Sequence, residues 1–223
     1  MNCKDKNPDY KAMYAYVKGR FDRTRHFKHG PFDETFYTMR VYECAKELLE
    51  HVDAKREQVL VAAILHDIGK VKLRASRMFG NGHCLSGMGE EWHRHAILSV
   101  PMARQYLKKQ GHSKEFIDEV CYLIEHHDMR GDKMDYRSVE LQVIQDADII
   151  ADVGFAGFIR PFLFCGKFNK QSIIDSIRFI KGDDRTKEVM NLEVSKKIAK
   201  REMKIQKRLV DEIYKEIDSD LLG

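Results

Sequence analysis

The stretch VLVAAILHDIGK, residues 59–70, decides the fold of this chain. Seven apolar residues run straight into His66 and Asp67, so an imidazole and a carboxylate stand at the end of a predicted buried helix over about residues 55–67. An ionised carboxylate is costly to bury unless it is paired or binds a metal. Gly69 is a natural end for the helix. The stretch therefore predicts a helical core with a polar site at its inner edge.

Two further histidines and an aspartate lie in segments with helical apolar spacing. His95 opens a predicted helix, His127 lies on the apolar stripe of another, and Asp148 lies on the apolar stripe of a third. Imidazole nitrogens and carboxylate oxygens are common ligands of divalent metals. A single buried histidine is more often an ordinary core residue, but several on separate helices together with two inward carboxylates favour one shared metal site.

Two neighbouring positions leave alternatives open. His126 projects about 100° away from His127, so it is either a further ligand or an exposed side chain. Asp146 faces differently from Asp148, and we expect only one of the two to reach the metal.

Three basic residues are candidates for phosphate binding. Lys70 lies about one turn beyond His66 near the same face, where an ammonium group suits a phosphate oxygen. Arg160 and Arg201 could hold phosphate through their planar guanidinium groups, or be ordinary surface arginines. The basic face of the last predicted helix has few aromatic residues and several glutamates, so we interpret it as a solvated face and expect no nucleic acid partner.

Helical spacing dominates the chain, and no alternating strand pattern appears. Pro101 should kink or interrupt the helix that contains it. Besides the helix over 55–67, helices are predicted over about 33–51, 93–110, 113–128, 138–152 and 186–218. We interpret 71–92 as a mobile loop and 153–169 as a turn leading into a lid. The prediction is a single all-α domain over 1–223, with 1–32 as an N-terminal extension and the last helix packed on the domain.

Composition sets the remaining bounds. The 223 residues are 33% charged and 43% apolar, with no run near the roughly 20 apolar residues of a membrane span and no apolar segment behind the N-terminus that would suit a signal peptide. Five cysteines without a CxxC pair suggest reduced thiols and a cytoplasmic location. The net charge of +4 suits an anionic substrate. The exposed stripes of the last helix permit a homodimer.

Taken in order, these segments resemble the HD-domain superfamily of metal-dependent phosphohydrolases, and most closely its small bacterial branch that includes nucleotide pyrophosphohydrolases. The resemblance covers most of the chain, and the ordered set is more specific than the His-Asp pair alone. It implies an all-helical bundle with the metal site on inner helix faces. The matching segments are AILHDIGK at 63–70, His95-Ala96, 120–127, QDAD at 145–148, GFIRPF at 157–162 and KIAKR at 197–201.

The resemblance also implies roles for the candidate residues. His66, Asp67 and Asp148 would bind metal, while His95 and His127 would bind a second metal or the substrate phosphate, or act as proton donors. One or two divalent ions per chain (Mn, Co, Ni, Mg or Fe) and a small, nucleotide-like phosphorylated substrate are expected. Asp67 would bridge two metals or orient the attacking water. Lys70 and Arg160 would steady the charge that builds on the phosphate, and Arg201 also fits the pattern.

One position departs from the family pattern. The family's first ligand is a histidine three residues before the Arg-Val pair of the first helix, and here Tyr37 stands before Arg40. A phenol ionises near pH 10 and is a poorer ligand than imidazole for many divalent ions. Asp33, one turn earlier on the same face, could take its place. Two alternatives to hydrolysis therefore stay open: a mixed-valent diiron oxygenase with a tyrosine near the iron, and a degenerate domain that senses a metal or nucleotide.

Overall fold

The apolar segment before His66 forms the central helix of the protein. In a computed structural model, every residue from Val59 to Leu65 is buried. The structure describes residues 7–24, 34–73, 92–129, 137–169, 172–182 and 190–217. Its α-helices are α1 (Tyr10–Phe21), α2 (Glu34–Leu48), α3 (Arg56–Leu65), α4 (His95–Gln110), α5 (Lys114–His126), α6 (Val139–Ala151), α7 (Gly154–Asn169), α8 (Ile173–Gly182) and α9 (Glu193–Glu216).

The described ranges contain helices and no strand, which confirms the predicted all-α fold. Helix α3 packs against α1, α2, α5 and α6, and α4 packs against α5. A second apolar cluster joins α7, α8 and α9 around Phe158, Ile177, Ile180 and Val210. None of the described helices is long and apolar enough to cross a membrane.

The chain after α3 is held close to α4. Asp67 leaves the helix at φ −101°, and a short 3-10 helix follows over Ile68–Lys72. The Gly69 N–H donates to Ser99 Oγ at 2.8 Å, and that hydroxyl donates to the His95 carbonyl at 2.9 Å. A Cβ on Gly69 would lie 2.4 Å from the His95 carbonyl oxygen. This contact sets the distance between Asp67 and His95.

Several boundaries differ from the sequence predictions. Residues 153–169 are not a turn leading into a lid: they form helix α7, which buries Phe158 against α8 and α9. Pro101 is exposed and does not interrupt its helix, which runs over His95–Gln110. The last helix begins at Glu193, later than predicted.

Two further helices, α1 and α8, were not predicted. Helix α1 lies in the supposed N-terminal extension and buries Met13, Val17 and Phe21, whose helical spacing is hidden among polar and aromatic residues. Most of the predicted loop over 71–92 lies outside the described residues. The single-domain interpretation stays a prediction.

We expect Gly69→Ala to lower the free energy of unfolding by about 2 kcal/mol, because the new methyl group collides with backbone atoms of α4 that cannot easily move. The matched control is Gly19→Ala in α1, where nothing lies within 4 Å of the added Cβ. There the helix propensity of alanine should stabilise the protein slightly. Urea unfolding of both variants checks the pair, and equal effects would contradict the close packing of Gly69.

Candidate metal centre

Four helices bring the predicted site residues together. His66 and Asp67 stand at the end of α3, His95 begins α4, His127 follows α5, and Asp148 lies within α6. One ligand atom from each of His66, Asp67 and His127 lies within 4.8 Å of the other two, and all three residues are buried. Side chains that are 60 residues apart in the sequence therefore converge on one small volume.

The three imidazoles share one orientation. In each ring, Nδ1 lies within hydrogen-bond distance of the backbone carbonyl three residues earlier. The bonds are His66 to Ala63 at 2.8 Å, His95 to Trp92 at 2.6 Å and His127 to Ile124 at 2.7 Å. Because a carbonyl only accepts, Nδ1 is the donor in each ring and Nε2 is directed into the cluster. This arrangement is typical of metal-ligating histidines, whose second nitrogen is held by a backbone acceptor.

The carboxylate of Asp67 lies at the centre of the cluster. Its Oδ2 accepts from Lys70 Nζ at 2.6 Å and lies 3.1 Å from His66 Nε2. Its Oδ1 lies 3.3 Å from His95 Nε2 and 3.9 Å from His127 Nε2. Within the described ranges, Asp67 Oδ1 and His66 Nε2 are both buried without a hydrogen-bond partner.

These unpaired atoms fit a divalent cation. Buried polar atoms without a partner are rare in proteins, and a bound ion is one of the accepted reasons for them. The Nε2 atoms of His95 and His127 lie 3.2 Å apart, and both lie within 4 Å of Asp67 Oδ1. These three atoms would hold a divalent cation. The donor set of imidazole nitrogens and carboxylate oxygens suits Mn, Co, Ni, Fe or Zn.

Tyr37 fills the position where the family pattern has its first histidine. Its hydroxyl donates to Asp148 Oδ1 at 2.7 Å and to the Asp148 carbonyl at 2.9 Å. The guanidinium carbon of Arg160 lies 3.9 Å from the centre of the Tyr37 ring. Burial, and then the charge of Asp148, raise the pKa of Tyr37 well above its usual value. Tyr37 is therefore a neutral hydrogen-bond donor to Asp148.

A buried network of charges adjoins the cluster. Lys70 Nζ lies 2.5 Å from Glu34 Oε1 and 2.6 Å from Asp67 Oδ2. Glu34 also lies 3.4 Å from Arg160, whose other guanidinium nitrogen pairs with Asp152. Sequence reasoning missed Glu34, although it stands one turn before Tyr37. An acidic residue in the first turn of a helix is so common that it carried no signal.

Electrostatics within the cluster oppose the cost of burial. Burial alone would lower the pKa of Lys70, but the charges of Asp67 and Glu34 raise it, so the ammonium group stays protonated. Burial likewise opposes the charged form of His66, yet Asp67 and Asp148 raise its pKa to about 10. The His66 and Lys70 charges hold the pKa of Asp67 well below its usual value despite burial.

His127 differs from His66 in its charge state. Burial, followed by the charges of His66 and His95, lowers the pKa of His127 to about 4. The ring is therefore neutral at physiological pH, as a metal ligand must be.

His126 and Asp146 make their contacts away from Asp67. The His126 ring packs against Tyr122, with Nδ1 2.8 Å from the Tyr122 carbonyl. Asp146 accepts from the backbone N–H groups of Asn191 and Leu192 at 2.9 Å and so fixes the start of α9.

Arg201 lies on a different face of the protein. Its side chain is 63% exposed and pairs with Glu202 in a groove that Cys44 also lines. Asp33 lies outside the described residues.

Comparisons with known proteins agree with this arrangement. The HD domain family matches residues 37–152, more than half of the chain. No curated protein matches the sequence.

Solved structures match over nearly the whole length. Bacillus subtilis YpgQ is 22% identical, with 94% of this chain and 95% of that one covered and a TM-score of 0.60. The same protein in complex with ADP is 21% identical, with 94% and 98% covered and a TM-score of 0.59. A predicted HD superfamily hydrolase from an uncultured Thermotogales bacterium is 19% identical, with 94% and 93% covered and a TM-score of 0.61.

The helical fold with a buried His-Asp pair at the end of its central helix defines an HD domain. This chain belongs to the HD domain family. The family binds divalent metals, and among the described residues His66, Asp67 and His127 form a cluster that could hold one.

Glu34→Gln should lower the free energy of unfolding by about 3 kcal/mol, because it leaves Lys70 and Arg160 buried with one fewer negative partner. The control is Glu43→Gln in the same helix, whose carboxylate is 53% exposed beside Lys46 and should have little effect. Guanidinium unfolding compares the two variants. Similar small losses in both would contradict the buried network.

The metal-free protein should show no ionisation of Tyr37 between about pH 9 and 11, where an ordinary tyrosine loses its proton. The measurement is ultraviolet absorbance of tyrosinate in wild type and Tyr37→Phe, with a chelator present. The two curves should coincide in the folded proteins and differ by one tyrosine in urea. A difference of one tyrosine in the folded state would show that Tyr37 ionises normally.

Proposed function

We propose that this protein is a metal-dependent phosphohydrolase that acts on a small nucleotide-like substrate. The observation that supports this most is the buried Oδ1 atom of Asp67, which has no protein donor among the described residues and faces two inward imidazole nitrogens. Membership of the HD domain family supports the same conclusion. The charged network behind Asp67 keeps the carboxylate ionised.

A divalent cation held at Asp67 with His95 and His127 would supply Lewis acidity, making an attacking water more acidic and neutralising charge on phosphoryl oxygens. The chain's own residues would do the rest. Lys70 is held between Asp67 and Glu34, so its ammonium group orients the Asp67 carboxylate and keeps it ionised. Direct contact between Lys70 and phosphate, as the sequence suggests, stays a prediction.

Arg160 is a second candidate for a contact with the substrate. Its side chain is 14% exposed, and its Nε has no hydrogen-bond partner among the described residues. Asp152 and Glu34 hold its two terminal nitrogens, so the guanidinium plane is fixed over Tyr37. We propose that Arg160 stabilises the charge that develops on the phosphoryl group. A phosphate contact by Arg201 stays a prediction.

A nucleotide substrate is supported by analogy. The structure of Bacillus subtilis YpgQ in complex with ADP shares this fold. We therefore propose a nucleotide substrate for this chain. We also propose that the chain belongs to the small bacterial branch that includes nucleotide pyrophosphohydrolases. Cytoplasmic location and a homodimer stay predictions from composition and from the exposed stripes of α9.

One observation favours a second candidate, a metal or nucleotide sensor. Tyr37 stands where the family's first ligand is expected, and it donates to Asp148 instead of offering a lone pair. A protein that binds the metal tightly and turns over no phosphate compound would be this sensor. The diiron oxygenase stays a prediction, and it requires a coloured, iron-containing protein after growth with iron.

We expect Mn²⁺, Co²⁺ or Ni²⁺ to stimulate release of phosphate or pyrophosphate from one or more members of a nucleotide panel. Asp67→Asn should lower this rate by at least about a hundredfold, because the cation loses its central ligand. Asp53→Asn is the control, because Asp53 is exposed in the turn before α3. Full metal occupancy without turnover of any nucleotide would overturn the proposal.

A further inference from the structure

The two oxygens of Asp67 face different surroundings. Oδ2 is directed toward Lys70 and His66, while Oδ1 is directed toward His95 and His127. The carboxylate therefore separates two half-sites. The first half-site comprises Asp67 Oδ2, His66, Asp148 and Tyr37, and the second comprises Asp67 Oδ1, His95 and His127.

The second half-site has the dimensions of a cation site. Its three atoms are separated by 3.2, 3.3 and 3.9 Å. The circle through three atoms at those separations has a radius of about 2.0 Å, which is close to the bond length of a divalent transition metal to imidazole or carboxylate. Asp67 Oδ1 has no other partner among the described residues. Backbone carbonyls hold both rings by Nδ1 in the orientation that a ligand needs.

Hydrogen bonds within the protein occupy the first half-site. Asp67 Oδ2 accepts from Lys70 at 2.6 Å, and Asp148 Oδ1 accepts from Tyr37 at 2.7 Å. The Arg160 guanidinium carbon lies 3.9 Å from the centre of the Tyr37 ring and so helps to hold the phenol in place. His66 Nε2 lies 3.1 Å from Asp67 Oδ2 and 3.6 Å from Asp148 Oδ1, so it is held between two carboxylates. A cation on this side would have to displace two short hydrogen bonds.

We propose that this chain binds a single divalent cation in the second half-site, through Asp67 Oδ1, His95 Nε2 and His127 Nε2, and that Tyr37 closes the first half-site by tying down Asp148. Tyr37 is then a specificity-determining residue that sets the number of ions. The inference shares with the proposed function the need for a cation at Asp67, but it concerns which atoms bind that ion.

The test is Mn²⁺ binding to the purified, chelator-treated full chain, followed by the electron paramagnetic resonance of free Mn²⁺. Wild type should bind one ion. His127→Gln should weaken binding by at least about a hundredfold, more than the loss of an outer hydrogen bond to a ligand would. The neighbouring His126→Gln is its matched control and should bind as wild type does, because the His126 ring packs on Tyr122. Asp148→Asn should change the affinity by less than about threefold. Tyr37→His should raise the stoichiometry to two.

A spectroscopic measurement on wild type removes the dependence on variants that fold poorly. With Co²⁺ bound, proton nuclear magnetic resonance should show two strongly shifted, exchangeable imidazole N–H signals, from His95 and His127. An ion in the first half-site would give one, from His66.

The possible outcomes separate the two proposals. Two ions in wild type, one shifted imidazole signal, or an Asp148→Asn loss as large as that of His127→Gln would each overturn the inference and leave hydrolysis standing. One ion bound by His95 and His127 without turnover would support the inference and overturn the proposed function. Absence of any bound ion would overturn both.

Discussion

The buried carboxylate of Asp67 is the constraint on which the site depends. It stands just after α3, in which every residue from Val59 to Leu65 is buried, so its charge must be balanced locally. Lys70 and His66 balance one oxygen, and His95 and His127 approach the other. These partners lie just after α3, at the start of α4 and just after α5, so the packing of these three helices fixes the site.

The backbone contacts near Asp67 show how such a site is positioned. Ser99 links the turn after Asp67 to the first turn of α4, so His95 is held at a set distance from the carboxylate. Gln145 donates to the carbonyls of His126 and Met129 and so holds the end of α5, next to His127, against α6. The ligands are therefore arranged by hydrogen bonds between helix ends, where orphan backbone groups are available.

Tyr37 changes what the same fold can do. A histidine at that position would present a lone pair to the cluster, whereas the phenol presents a proton and consumes a lone pair of Asp148. Glu34 then becomes important, because it pairs with two cations, Lys70 and Arg160, that both lie close to the Tyr37 ring. Tyr37, in place of a histidine, and the charge network of Glu34 together give the Oδ2 atom of Asp67 a structural role.

The amino-acid sequence by itself determined the helical class, the central buried helix and the residue types of the site, because helical spacing and the cost of burying charge are local properties of the chain. It did not reveal helix α1, the helical structure of α7 or the role of Glu34. Each of these depends on contacts between segments that are far apart in the chain. Only the tertiary structure decided that Tyr37 donates to Asp148, that His126 packs on Tyr122 while His127 faces Asp67, and that the two oxygens of Asp67 have different partners. The direction of a side chain at a helix end, and the atom that it meets, are set by helix packing across long sequence separations.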